Sequence, residues 1–290
     1  MKLGLCLSGG GIKGAAHIGA IKALREANLH FDYIAGTSSG SIVATLYACG
    51  YLPDEIYEAF LKYARKIRYW DWHNIQNVGK NFIKTHTFKL TGLNSGKAIY
   101  DLARKLCSKK GITNINQIPR KLLIPTVNIY TEELYVFHSG NAIANEENIK
   151  YINNVDIATA VQASCSYPGF FCPCPYKNTL LIDGGVAENL PWRETKRIGA
   201  DKVISIVFVD KSNRKCCDTI TQVLDKSFHI LCHELAKYEW DGTDFLLPIS
   251  CKDVGLLDWR KTEQLYEEGY CQTIEFLKKM SIADKKVWTK

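Results

Sequence analysis

One arrangement, a short strand pattern that ends in glycines and restarts as a helix, occurs twice within the first fifty residues. Residues 2–7 (Lys2-Leu3-Gly4-Leu5-Cys6-Leu7) read as an apolar strand. Ser8-Gly9-Gly10-Gly11-Ile12-Lys13-Gly14 follows, and Ala15, Ile18, Ile21 and Leu24 then recur at helical spacing. Residues 33–36 form a second strand pattern, Gly36-Thr37-Ser38-Ser39-Gly40 a second glycine turn, and residues 39–50 a helix of small side chains. Strands separated by helices return to a sheet side by side and parallel, with the helices covering its faces. The pattern therefore predicts an α/β fold, a three-layer α/β/α sandwich around a mostly parallel central sheet.

The alternation continues. A helix over 53–68 opens with Pro53-Asp54-Glu55 and carries Ile56, Phe60, Ala64 and Ile67 on one stripe. Strands and helices are then predicted over 122–130, 134–138, 156–163, 180–182, 202–209, 219–240, 245–249 and 262–280, with 69–93 the least regular stretch. No repeat or low-complexity linker divides the 290 residues, so one domain over 1–290 is expected. At 46% hydrophobic and 23% charged residues, no run approaches the roughly 18 apolar residues of a membrane span. Eleven cysteines, an odd number without a regular framework, suit reduced thiols. The strand pattern beginning at Lys2 leaves no room for a leader, so a cytoplasmic protein is expected. Neither Cys172-Pro-Cys174 nor Cys216-Cys217 has the spacing of a zinc site.

The net charge of +7 is concentrated. Between residues 59 and 100 stand Lys62, Arg65, Lys66, Arg68, Lys80, Lys84, Lys89 and Lys97 against Asp71, interleaved with Tyr69, Trp70, Trp72, Phe82 and Phe88. Basic and aromatic side chains in this mixture suit peripheral contact with an anionic membrane, a lid, or a plain solvated loop. No nucleic-acid motif accompanies them, and no nucleic-acid partner is expected.

Three motifs carry chemistry. The Gly9-Gly10-Gly11 turn at a helix start offers backbone N–H groups to a negative oxygen. It is not a dinucleotide fingerprint, because Asp32 precedes the second strand, and not a P-loop, because Lys13 is followed by Gly14. Residues 36–40 form a G-x-S-x-G elbow with Ser38 as candidate nucleophile; Ser39 and Ser41 read as helix-start residues. Asp183-Gly184-Gly185 ends an apolar run and leads into Val186-Ala187-Glu188-Asn189-Leu190-Pro191, placing a carboxylate at the carboxyl edge of the sheet with Ser38. Each motif alone is also compatible with an ordinary turn.

In combination and in this order, the glycine loop with Lys13, the elbow of residues 36–40, the Asp183-Gly184-Gly185 turn and the block Ala163-Ser164-Cys165-Ser166-Tyr167-Pro168 resemble patatin-like phospholipases. The resemblance covers most of residues 3–192; beyond Pro191 no motif is recognised. It implies a lipid acyl hydrolase of the phospholipase A or lysophospholipase type. Ser38 would attack a phospholipid or other acyl ester, Asp183 would act as general base, and no metal or organic cofactor would be needed. The loop of Gly9, Gly10, Gly11, Lys13 and Gly14 would supply the oxyanion hole, chiefly through Gly10 and Gly11. Gly36, Gly40, Gly184 and Gly185 would shape the turns. Two alternatives stay open: a Ser-His-Asp esterase using His229 or His233, and a non-catalytic module binding a lipid or anion. His229 and His233 lie four apart in a helical pattern, which reads as a helix face, and His17 is a neighbour of the site without an assigned task.

Overall fold

The computed structural model describes residues 1–66, 91–209, 218–252, 254–255 and 257–280. The basic and aromatic residues between 67 and 90, and Cys216-Cys217, lie outside them. The chain runs β1 (Leu3–Leu7), α1 (Gly14–Glu26), β2 (Tyr33–Gly36), α2 (Ser39–Ala48), α3 (Pro53–Ala64), α4 (Lys97–Lys109), β3 (Lys121–Asn128), β4 (Leu134–His138) and β5 (Ile149–Ile152). It continues with α5 (Ile157–Ser164), β6 (Cys174–Tyr176), β7 (Thr179–Asp183), α6 (Trp192–Arg197), β8 (Lys202–Phe208), α7 (Ile220–Trp240), β9 (Phe245–Ile249) and α8 (Thr262–Lys279).

The strands form one mostly parallel sheet in the order β5-β4-β3-β2-β1-β8-β9, with β7 on β3 and β6 on β7. β1 lies in its interior, parallel to β2 on one side and β8 on the other. Buried on both faces, it is continuously apolar, as central parallel strands are. Leu3, Leu5 and Leu7 point into the larger core with Ile18, Ile21 and Leu24 of α1 and Tyr47 of α2. Cys6 points into a smaller core on the opposite face with Val203, Val207 and Leu190, where its Sγ lies 3.2 Å from Thr195 Oγ1 of α6. The sheet is thus sandwiched between two unequal helical layers.

Four elements go beyond the predicted pattern: α4, β5, β6 and the six-residue α6. α4 buries Ile99, Ala103 and Cys107 at spacing four, with its lysines and arginine on the exposed faces, an amphipathic stripe that the sequence carries in full although no helix is predicted there. β5 has four residues and β6 three, one of them Pro175, too short for a period of two to register. At the other end of the chain, α8 crosses α1 so closely that a β-carbon on Gly19 would sit 1.9 Å from Tyr266 O. This contact ties residues beyond the recognisable motifs to the helix that follows the glycine loop. None of the described helices is long and apolar enough to cross a membrane.

Candidate active site

The placement of Ser38 and Asp183 follows from how β3 shares its neighbours. β2 runs parallel to the first part of β3, with Ala35 opposite Leu123; β7 runs antiparallel to the last part, with Asp183 opposite Thr126. Because β4 occupies the other flank of β3 from Leu123 to Val127, β2 and β7 must lie end to end in one lane. Their carboxyl ends meet there. Asp183 is therefore brought to Ser38 by an antiparallel strand arriving from the opposite direction, and not by a parallel neighbour at a common edge.

Ser38 sits at φ 53°, ψ −127°, a conformation that costs an L-residue about 1–3 kcal/mol and that the surrounding turn must enforce. Gly36 and Gly40 permit the turn: a β-carbon on Gly36 would lie 2.4 Å from Gly40 O, and one on Gly40 2.5 Å from Leu7 O. Ser38 N–H donates to Ser164 Oγ (3.0 Å), at the end of α5, and Ser38 O accepts from the Ser41 hydroxyl (2.6 Å). Ser41 thus donates to the turn where a helix cap would accept, and Ser39 Oγ is buried without a partner among the described residues.

Asp183 is 2% exposed. Its N–H donates to Ser166 O (3.1 Å), and its Oδ1 accepts the Gly185 N–H (2.8 Å). The block of residues 163–168 therefore touches both turns, Ser164 holding the elbow and Ser166 the end of β7. Asp183 Oδ2 is buried with no partner in full hydrogen-bond geometry among the described residues. Burial lifts the carboxyl from its ordinary 3.8 to about 7, against the lowering influence of the Ser38 hydroxyl and the Gly185 N–H. A carboxyl at that value ionises near neutrality and is far more basic than a solvated aspartate.

The glycine loop lies against the elbow. A β-carbon on Gly9 would be 3.0 Å from Ser38 Cβ, and one on Gly14 3.2 Å from Ser39 Cβ. Gly9 N–H is taken by Asn189 Oδ1 (2.9 Å), so the three glycines do not present three free donors. Gly10 and Gly11 N–H have no hydrogen-bond partner among the described residues. Gly11 has φ 60° and opens a 3₁₀ turn, Gly11–Lys13, that leads into α1. Lys13 Nζ stands 5.8 Å from the centroid of the Phe208 ring, against which Gly10 packs. Gly184 packs on Pro125 of β3, and Gly185 faces Asn189.

His17 is fully buried behind the loop, its Nε2–H donating to Ser8 O (2.8 Å); burial lowers its pKa to about 4, so the ring is neutral. It braces the loop from below. His233 packs edge-on against Trp240, and the His229 side chain lies outside the described residues. Among the described residues, the Asp183 carboxyl is acted on by burial, the Ser38 hydroxyl and the Gly185 N–H.

Asn189 and Glu239 received no role from sequence reasoning. Asn189 stands in the run after Gly185, but nothing in that run signals that its side chain reaches back to Gly9. Glu239 lies fifty residues later on α7, where its Oε1 accepts the Asn189 N–H (2.8 Å).

Residues 5–196 match the family model for patatin-like phospholipases. Lysophospholipase NTE1 of Meyerozyma guilliermondii is 28% identical over 204 residues, covering 70% of this chain and 12% of that protein. Lysophospholipase NTE1 of Saccharomyces cerevisiae is 27% identical over 205 residues, covering 70% and 10%. The chain thus spans only about a tenth of the length of these curated relatives. Among solved structures, VipD from Legionella pneumophila aligns with a TM-score of 0.48 at 15% identity, covering 96% of this chain and 66% of that one. ExoU from Pseudomonas aeruginosa, in complex with SpcU, aligns at 0.46 and 18%, covering 96% and 51%. Since the family match takes in well over half of the sequence, from within β1 to the end of α6, the chain belongs to the patatin-like phospholipase family.

Proposed function

We propose that the protein is a lipid acyl hydrolase of the phospholipase A or lysophospholipase type, working through a Ser38–Asp183 dyad. The observation that carries this reading is the meeting of β2 and β7: it sets the strained Ser38 beside a buried carboxyl whose pKa is about 7. In the first half-reaction Ser38 Oγ bonds to the acyl carbon while Asp183 takes the hydroxyl proton. The carbonyl π electrons move onto oxygen, where the N–H groups of Gly10 and Gly11 stabilise the charge. As the ester C–O bond breaks, Asp183 returns the proton to the leaving oxygen. Water then attacks acyl-Ser38 by the same route in reverse, releasing a carboxylic acid and restoring Ser38. No metal or organic cofactor enters this scheme. Substrates are phospholipids or other acyl-ester lipids, and residues 59–100 supply peripheral contact with an anionic membrane.

Hydrolysis of a short-chain p-nitrophenyl ester, followed by a phospholipid panel, tests the reading with folded Ser38→Ala, Asp183→Asn and His229→Ala/His233→Ala variants. Loss in the first two alone supports the dyad. Loss in the histidine variant as well would require a triad, and a wild type that hydrolyses no ester and resists fluorophosphonate labelling would leave a binding module.

A further inference from the structure

Three consecutive glycines have more backbone freedom than any other tripeptide, so two of their N–H groups can converge on an oxyanion only if something outside the loop holds them. Asn189 meets that need. Its Oδ1 accepts the Gly9 N–H at 2.9 Å, and a β-carbon on Gly9 would lie 2.7 Å from the same oxygen. On its other side Asn189 Oδ1 lies against Gly185, 3.3 Å from where that residue's β-carbon would be. One amide oxygen therefore holds the glycine loop by a hydrogen bond while packing against the turn that follows Asp183. Asn189 is itself held: its N–H donates to Glu239 Oε1 at 2.8 Å. Glu239 is 4% exposed near the end of α7, where its own carbonyl accepts the Trp192 indole N–H at 2.6 Å. α7 also reaches the turn through Cys232 Sγ, 3.4 Å from Gly185 O.

We propose that Asn189, backed by Glu239, is a positioning residue that fixes the glycine loop relative to the Asp183 turn and so aims the Gly10 and Gly11 N–H groups at the developing oxyanion. Gly9 N–H is used as an anchor and not as an oxyanion donor. The inference rests on the dyad reading above and adds to it the device that registers oxyanion hole and base to one another. The part of the chain beyond the recognisable motifs thereby gains a task, because Glu239 lies there.

The test measures fluorophosphonate labelling rate and stoichiometry, together with ester kcat and KM, for wild type, Asn189→Ala, Glu239→Ala and Glu239→Gln. Asn189→Ala is expected to label to full stoichiometry at a rate about 10- to 100-fold lower, with a matching fall in kcat and KM changed less than about threefold, because loosened donors cost transition-state stabilisation. Glu239→Ala should fall in the same direction, and Glu239→Gln, which keeps an acceptor oxygen for Asn189 N–H, should recover most of the loss. A merely structural role would instead lower the labelled fraction while the remaining molecules react at the wild-type rate, which would overturn the inference. So would wild-type rates in Asn189→Ala. If wild type labels normally and Ser38→Ala does not, either of those results strikes the positioning role alone; an inert wild type strikes the dyad reading first.

Discussion

Replacing Asp183 by Asn should stabilise the protein, and by an amount that grows with pH. The side chain keeps its shape, and Oδ1 can still accept the Gly185 N–H now 2.8 Å away. What disappears is a charge held where solvent cannot reach it. With the carboxyl at 3.8 unfolded and about 7 folded, the native state binds the proton more tightly, so stability falls as pH rises between those values. The two-state linkage relation gives a penalty of about 1.7 kcal/mol at pH 5 and about 4 kcal/mol at pH 8. The stability gap between Asp183→Asn and wild type should therefore widen by about 2–3 kcal/mol from pH 5 to pH 8. Glu188 and Glu239, both also raised by burial, are present in both proteins and drop out of the difference. Urea unfolding of the two proteins at both pH values, with linear extrapolation, reads this directly. Parallel stability–pH curves would refute the claim that a desolvated carboxylate is held in the site.

If Asp183 is the base of the proposed dyad, kcat/KM should rise with pH through about 7 as it ionises, and a profile flat from pH 5.5 to 8.5 would remove it from that role. Gly40→Ala should cost about 2 kcal/mol or more and abolish esterase activity, since its β-carbon would meet Leu7 O at 2.5 Å and Ser8 O at 2.7 Å; thermal unfolding and ester turnover measure both effects. His17 has the opposite sign from Asp183, being a base with a lowered folded pKa. The unfolded chain binds its proton first, so stability is lost as pH falls from 6.5 toward 4, by about 3 kcal/mol at pH 4. His17→Phe should flatten that part of the acid unfolding curve relative to wild type, measured by the same urea series.

Much of the framework was legible in the sequence because it is written in local chemistry. Glycines that no other residue can replace mark the turns after β1 and β2, and buried parallel strands such as β1 announce themselves as short apolar runs. Ser38 and Asp183 could be singled out because each stands in a turn whose residue types are restricted by its own neighbours. Local pattern was insufficient where an element is too short to show its period, as in β5, β6 and the six-residue α6. It was insufficient, too, where a residue's task is set by a distant partner.

Four features depend on tertiary structure. The strand direction that delivers Asp183 is antiparallel because β7 takes the flank of β3 left open where β2 ends, a matter of lane occupancy that no periodicity encodes. The Asp183 pKa comes from burial by residues spread along the chain. Gly9 is withdrawn from the donor set by a side chain 180 residues away, and that side chain is held by a carboxylate 50 residues further on. Sequence determined which residues could do chemistry, because reactive groups and turn residues are local properties. Only the fold decided how they face one another, because distance, solvent exclusion and hydrogen-bond partners arise between segments that meet when the chain has closed on itself.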